Sequence, residues 1–285
     1  MTGQNLNVLA YEFMGELRRP TTSMPPSLFS LNDGLDMRGQ AALVISQSGA
    51  SKDLVQSATL ARAHGAIVCA ITNVVGSGVE NAADVTIPVG AGPERAVPAT
   101  KTVIGSIAAG MALLSHLSPA YAQKADFAAQ TFNSIHETPH LDHLVSALLR
   151  AQNVYVIGRG AGLGAAQEVA LKLKECCSLH AEAYSASEVL HGPLQLVMKP
   201  LTVLMLDTED AATQDSMDRV EARFQEVGGE VYRLKPSDFD VPKLTPAASA
   251  AILIYQLYPI IREVAIALGY NPDQPETLAK VTVTV

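Results

Sequence analysis

Short apolar runs alternate along the chain with longer segments whose apolar residues recur at helical spacing, the arrangement expected of parallel α/β layers. Residues 41–46 (AALVIS) are apolar and bounded by polar positions, and the stretch 53–64 places Leu54, Val55, Ala58 and Ala61 on one side of a helix. Runs at 66–72 (AIVCAIT) and 83–89 (ADVTIPV) predict two further strands, and 101–117, rich in Ala, Ile and Leu, predicts a buried helix. After a more polar, histidine-containing region at 130–143 the alternation restarts. It runs as strand 154–157, helix 161–177, strand 201–206, helix 214–227, strand 230–234 and helix 245–268. The tail, 271–285, holds two prolines and ends in a β-like VTVTV. In each block an apolar strand enters a small-residue loop, Ser46-Gln47-Ser48-Gly49 or Gly158-Arg159-Gly160, and then a helix. This pattern predicts a duplicated pair of doubly wound sheets, with ligands at the carboxyl ends of the strands.

Composition narrows the class. With 285 residues, 48% of them hydrophobic and 17% charged, the chain can build two domains with real cores and has little capacity for long disordered tracts. A formal charge of −8 argues against nucleic acid as a partner, because phosphate-backbone binding needs a basic face. The three cysteines suggest neither a disulfide framework nor a zinc set, since Cys176 and Cys177 are adjacent on a predicted helix and point in different directions. No basic region followed by an apolar core opens the chain, and the apolar stretch 247–269 is interrupted by Gln256, Pro259, Arg262 and Glu263. A buried helix is therefore expected rather than a membrane span, and a cytoplasmic location.

Four groups of residues could carry chemistry. The loop Ser46-Gln47-Ser48-Gly49-Ala50-Ser51 ends a strand and opens a helix, so hydroxyls, an amide and free helix N–H groups can surround a phosphate; ordinary turn and cap residues would look the same. On the helix 161–177, Glu168, Lys172 and Glu175 share one face, which is either a solvated ion-pair stripe or a catalytic one. Because that helix starts at the glycine loop, its start is expected to face the ligand crevice. His180, Glu182, Glu188 and His191 gather in what reads as a polar loop, where an imidazole could move a ring-oxygen proton or the groups could simply satisfy one another. Their spacing matches no zinc pattern, and no metal is expected. Lys280, in the tail, would by itself be an ordinary solvated lysine.

The residues Ile45-Ser46-Gln47-Ser48-Gly49, Ala99-Thr100-Lys101, Gly158-Arg159-Gly160, Ala170-Leu171-Lys172-Leu173-Lys174-Glu175, His180-Ala181-Glu182-Ala183-Tyr184, His191-Gly192-Pro193-Leu194 and Leu278-Ala279-Lys280 occur in an order that resembles one enzyme family. It is the double SIS (sugar isomerase) family, in particular the isomerase half of glutamine:fructose-6-phosphate aminotransferase and the amino-sugar-phosphate deaminases that lack the glutaminase domain. The resemblance implies an α/β protein of two doubly wound parallel-sheet SIS domains, at 1–125 and 126–275, with a C-terminal tail at 276–285 that contributes to the active site. It implies that Ser46, Gln47, Ser48 and Ser51 bind the substrate phosphate, the last being commonly Thr in the family. Glu175 matches the carboxylate that moves the proton between C1 and C2 of the sugar, and Lys172 the lysine one turn earlier. His191 matches a ring-opening histidine that reaches the site from the partner subunit, and Lys280 a tail lysine that engages the open-chain sugar.

Two departures qualify the match. Ala99, after Pro98, replaces the family's usual Ser, and Gly92-Pro93-Glu94-Arg95 looks more like the glutaminase-free deaminases. The helix that 5–17 resembles follows, in the family, a first strand and a substrate-holding loop, so the first sheet is expected to lack its first strand. The reaction implied is glucosamine 6-phosphate to fructose 6-phosphate and ammonia, without a cofactor, in a homodimer with shared sites. No glutaminase-type segment is seen in the 285 residues, so glutamine-driven synthesis is not expected of them alone. The alternatives are the isomerase part of the aminotransferase, working toward glucosamine 6-phosphate, and a non-catalytic sugar-phosphate-binding SIS protein. The last would not need Glu175, His191 and Lys280 together.

Overall fold

The computed structural model describes residues 4–135 and 141–280, without the side chains of residues 4–6. The expected strand at 281–285 and part of the polar region 130–143 lie outside the described residues. The elements run α1 (Gln4–Leu17), α2 (Ser27–Ser30), β1 (Ala41–Ser46), α3 (Lys52–Ala63), β2 (Ile67–Thr72), α4 (Gly78–Ala82), β3 (Val85–Pro88), α5 (Lys101–Leu117), α6 (Pro119–Ser134) and α7 (Asp142–Arg150) in the first half. They continue as β4 (Asn153–Gly158), α8 (Ala161–Cys177), β5 (His180–Ser185), β6 (Thr202–Leu206), α9 (Gln214–Glu226), β7 (Glu230–Leu234) and α10 (Pro246–Ala267), with 3₁₀ turns at Pro193–Met198 and Pro236–Phe239.

Two parallel sheets result, ordered β1-β2-β3 and β5-β4-β6-β7. Residue alternation sorts each strand between an inner and an outer core. Ile45 and Ile71 turn inward and share one continuous core with Val154, Val156, Leu204 and Leu206 of the other sheet. Helices α1, α5, α8 and α10 pack on one another in the layer between the two sheets. On the outer faces, Val44, Val68 and Ala70 meet Ala58 and Ala61 of α3, while Tyr155, Ile157, Val203 and Met205 meet Met217, Val220 and Phe224 of α9. Helix α10 is long and apolar enough to cross a membrane, yet buried side chains run along its length against the central layer.

Several expectations change here. The segment 180–185 is not loop but the edge strand β5, paired in parallel with β4. The alternation that signals it, with Ala181 and Ser185 buried beneath exposed or half-buried polar neighbours, is masked by its charged residues. Helix α6 runs into the region read as polar as far as Ser134 and α7 begins at Asp142, and the expected boundary at 125–126 falls inside α6. Among the described residues the first sheet has three strands with β1 at its edge, whereas β4, the first strand of the second block, lies between β5 and β6.

Candidate active site

The serine loop is shaped by its glycine. Gly49 sits at φ 61, and a side chain there would place its first carbon 2.1 Å from Ser77 Oγ. That forces the chain back over the carboxyl end of β1, where Ser46 Oγ accepts the Gly49 N–H at 3.0 Å. Ser46 is buried, so its hydroxyl builds the loop, while Gln47, Ser48 and Ser51 stay half-buried at the surface. Ser51 starts α3 without a side-chain cap hydrogen bond, leaving the positive end of a 12-residue helix beside the loop.

On α8 the charged stripe is not solvated. Glu168 and Lys172 are each 3% exposed, whereas the Glu175 side chain keeps 24% of its surface. Lys172 Nζ lies 2.6 Å from Glu175 Oε2 and 3.2 Å from Glu168 Oε1. Tyr258, from α10, donates its hydroxyl to that same Glu168 Oε1 at 3.0 Å. Burial draws Lys172 toward neutrality, but the two carboxylates more than offset this and raise it above the ordinary lysine value. Burial raises Glu168 despite the opposing pull of Lys172 and Tyr258. The Tyr258 hydroxyl is held well above the usual phenol range by burial and by Glu168. One buried cation is thus shared by two carboxylates, only one of which reaches the surface.

These groups occupy the last turns of α8, not its start. With 1.5 Å of rise per residue, Glu175 stands about 21 Å along the axis from Ala161. The glycine loop Gly158-Arg159-Gly160 therefore does not border the Glu175 carboxylate. Just beyond Glu175 the end of α8 meets the tail. Cys176 Sγ points at Pro272 O, 3.9 Å away, and burial lifts its thiol to about 11. Cys177 turns the other way, toward Ile261 O at 3.4 Å.

A continuous run of contacts links this end of α8 to the serine loop. Val97 N–H donates to Asp273 O at 2.8 Å, and Lys280 donates its ammonium to Ala96 O. Glu94, in the same loop, accepts from the N–H groups of Thr100 and Thr102 and from the Thr102 hydroxyl at the start of α5. Asn73, just after β2, donates to Gly92 O at 2.7 Å and accepts from Ala91 N–H at 2.8 Å. Its backbone N–H donates to Gln47 O at 3.3 Å. Serine loop, Asn73, the 91–98 loop, the tail lysine and the α8 pair therefore follow one another across the molecule.

Sequence reasoning missed Asn73, Glu94 and Tyr258. The first two had a usable signal, an amide at a strand's carboxyl end and a carboxylate six residues before a helix cap; a tyrosine in an apolar helix reads as core. His191 is exposed after β5, and no hydrogen bond or ion pair among the described residues joins it to Glu175 or the serine loop. His180 contacts Asn153 at 3.1 Å and Glu182 accepts from Tyr184 at 2.7 Å, and no hydrogen bond or ion pair among the described residues joins either to Glu175. Among the described residues no three His, Cys, Asp or Glu side chains form a group able to hold a metal.

Two parallel sheets with a serine loop at a helix start and a buried lysine–carboxylate cluster, together with the relatives given next, place the chain among sugar-phosphate isomerase-like proteins. The chain belongs to the SIS domain family, which matches residues 28–116 and 147–232. It is 35% identical over 281 residues to glutamine–fructose-6-phosphate aminotransferase (isomerizing) of Aeropyrum pernix, covering 87% of this chain and 44% of the relative. It is 33% identical over 262 residues to the protein of the same name from Sulfurisphaera tokodaii, covering 87% and 43%. The chain thus spans less than half the length of these relatives. The crystal structure of glucosamine-6-phosphate deaminase from Thermotoga maritima superposes with a TM-score of 0.79 at 20% identity, covering 99% of this chain and 87% of that one, a likeness of fold.

Proposed function

We propose that the chain converts glucosamine 6-phosphate to fructose 6-phosphate and ammonia by proton transfer between neighbouring carbons. The observation that carries this reading is the Glu175–Lys172 contact at 2.6 Å, with the carboxylate partly exposed and the lysine buried on a second carboxylate. A base that must take a carbon-bound proton needs to reach the substrate, and of the two carboxylates on Lys172 it is Glu175 that keeps an exposed surface. The phosphate sits on Gln47, Ser48 and Ser51 at the start of α3, with Ser46 shaping the loop, and Lys280 meets the open-chain sugar. Glu175 takes the C2 proton as the electron pair moves toward the C1 carbonyl oxygen, which takes up a proton; the amine lone pair then drives return of the proton from Glu175 to C1, and an N–H proton is lost to solvent in place of the one gained at O1. The resulting C2 imine adds water and releases ammonia.

His191 fits a ring-opening role only from the other subunit of a dimer. Its exposure, beside Leu196 at 51% and Met198 at 79%, supports a protein surface covering that segment. The identity to aminotransferases supports a second reading, the same chemistry run from fructose 6-phosphate and ammonia. Incubation with glucosamine 6-phosphate, followed for ammonia and fructose 6-phosphate, and the converse incubation separate the two. Glu175→Gln should lower proton exchange into the substrate by about 10²–10⁴-fold while leaving phosphate affinity unchanged. Exchange at the unsubstituted rate in that variant would remove Glu175 from the role.

A further inference from the structure

We infer that Tyr258 is a positioning residue for the proton-transfer pair, anchoring Glu168 so that Lys172 is shared between two carboxylates instead of being captured by Glu175. This rests on the proton-transfer reading above. Tyr258 comes from α10, a different element from the helix carrying the other three groups. Its hydroxyl donates to the oxygen of Glu168 that Lys172 also approaches, at 3.0 and 3.2 Å. A buried carboxylate oxygen with two donors stays ionised more readily than one with a single donor.

The consequence reaches Glu175 through Lys172. With Glu168 ionised, the ammonium is held from both sides, at 3.2 and 2.6 Å. Without the Tyr258 hydroxyl, Glu168 takes up a proton at higher pH and loses its hold on Lys172. The ammonium is then left to Glu175 alone, and the carboxylate that has to reach the substrate is drawn back onto it. The other ionisable groups acting on this cluster are Glu94, which faces Tyr258 from the loop before α5, and Cys176 and Asp273 beside the end of α8. None of them donates to Glu168, so none replaces the tyrosine.

The test is Tyr258→Phe, with Tyr255→Phe on the exposed side of α10 as control. Glu168 is titrated by carbon NMR of glutamate-labelled protein, and turnover of glucosamine 6-phosphate is followed against pH. In Tyr258→Phe the Glu168 midpoint should rise, and turnover should fall severalfold at nearly constant KM. Tyr255→Phe should change neither. A folded Tyr258→Phe protein with an unmoved Glu168 midpoint overturns the inference. Should that variant not fold, Glu168→Gln must lower turnover severalfold at nearly constant KM, and unchanged turnover overturns the inference equally. A shifted midpoint in a chain that turns over no glucosamine 6-phosphate even without substitution supports the positioning role and overturns the catalytic reading.

Discussion

Replacing Lys172 by methionine would keep most of the side-chain volume and remove the single cation between Glu168 and Glu175. Both ion pairs are short, at 3.2 and 2.6 Å, and Lys172 and Glu168 are almost fully enclosed. Breaking a buried pair from one side costs about 3–5 kcal/mol, because the remaining charge is left without a partner. That loss should depend on pH. Burial already raises Glu168, and without Lys172 it rises further, so its folded-state value lies above its unfolded one. The stability linked to such a group is present in full below the ordinary carboxylate range and is lost as pH rises through the raised value. Urea unfolding should therefore show the full deficit of Lys172→Met near about pH 8 and a clearly smaller one near about pH 5. Adding Glu168→Gln to the variant should recover a large part of the deficit near neutrality. A deficit below about 1 kcal/mol at both pH values, or one that ignores pH, would refute the argument that this lysine neutralises buried charge.

Two further outcomes follow from geometry described above. Gly49→Ala should lower stability by about 1–2 kcal/mol for the left-handed backbone alone, with more from the contact with Ser77, and should weaken binding of sugar 6-phosphates; unchanged thermal unfolding and unchanged calorimetric affinity would contradict it. Glu12, buried on α1, accepts from the Tyr121 hydroxyl at 2.7 Å and from Ala247 N–H at 3.0 Å, and burial raises its carboxyl. The stability of the native protein relative to Glu12→Gln should accordingly fall as pH rises from the ordinary carboxylate range, and a difference that grows with pH would reverse the sign.

Much of this architecture was legible because its strands are buried on both faces. Runs such as 41–46 and 202–206 are nearly continuous in apolar residues, and the helices between them keep a clear period. Strand β5 was not legible for the converse reason. An edge strand carries His180, Glu182 and Tyr184, and such residues resemble a polar loop until the pairing partner is known. The stripe on α8 showed spacing but not environment; whether Glu168 is bathed in water depends on α10, some 90 residues away along the chain. The same holds for Tyr258, Asn73 and Glu94, each of which acts on a segment distant in sequence. Lys280 differs, since only the resemblance to a family drew attention to it, and the structure then lays it on Ala96.

Helix α8 spans the second block from the glycine loop at its start to the charged pair at its end, and it is buried nearly all round. One residue inserted or deleted within it would turn everything beyond by about 100° and slide it by about 1.5 Å. A change before Glu168 would then take Glu168 from Tyr258 and Cys176 from Pro272, even with every side chain retained. The exposed stretch 18–23, between α1 and α2, could absorb the same change as a slack bend. A length change is therefore expected to be tolerated there and to abolish the charged cluster when made inside α8.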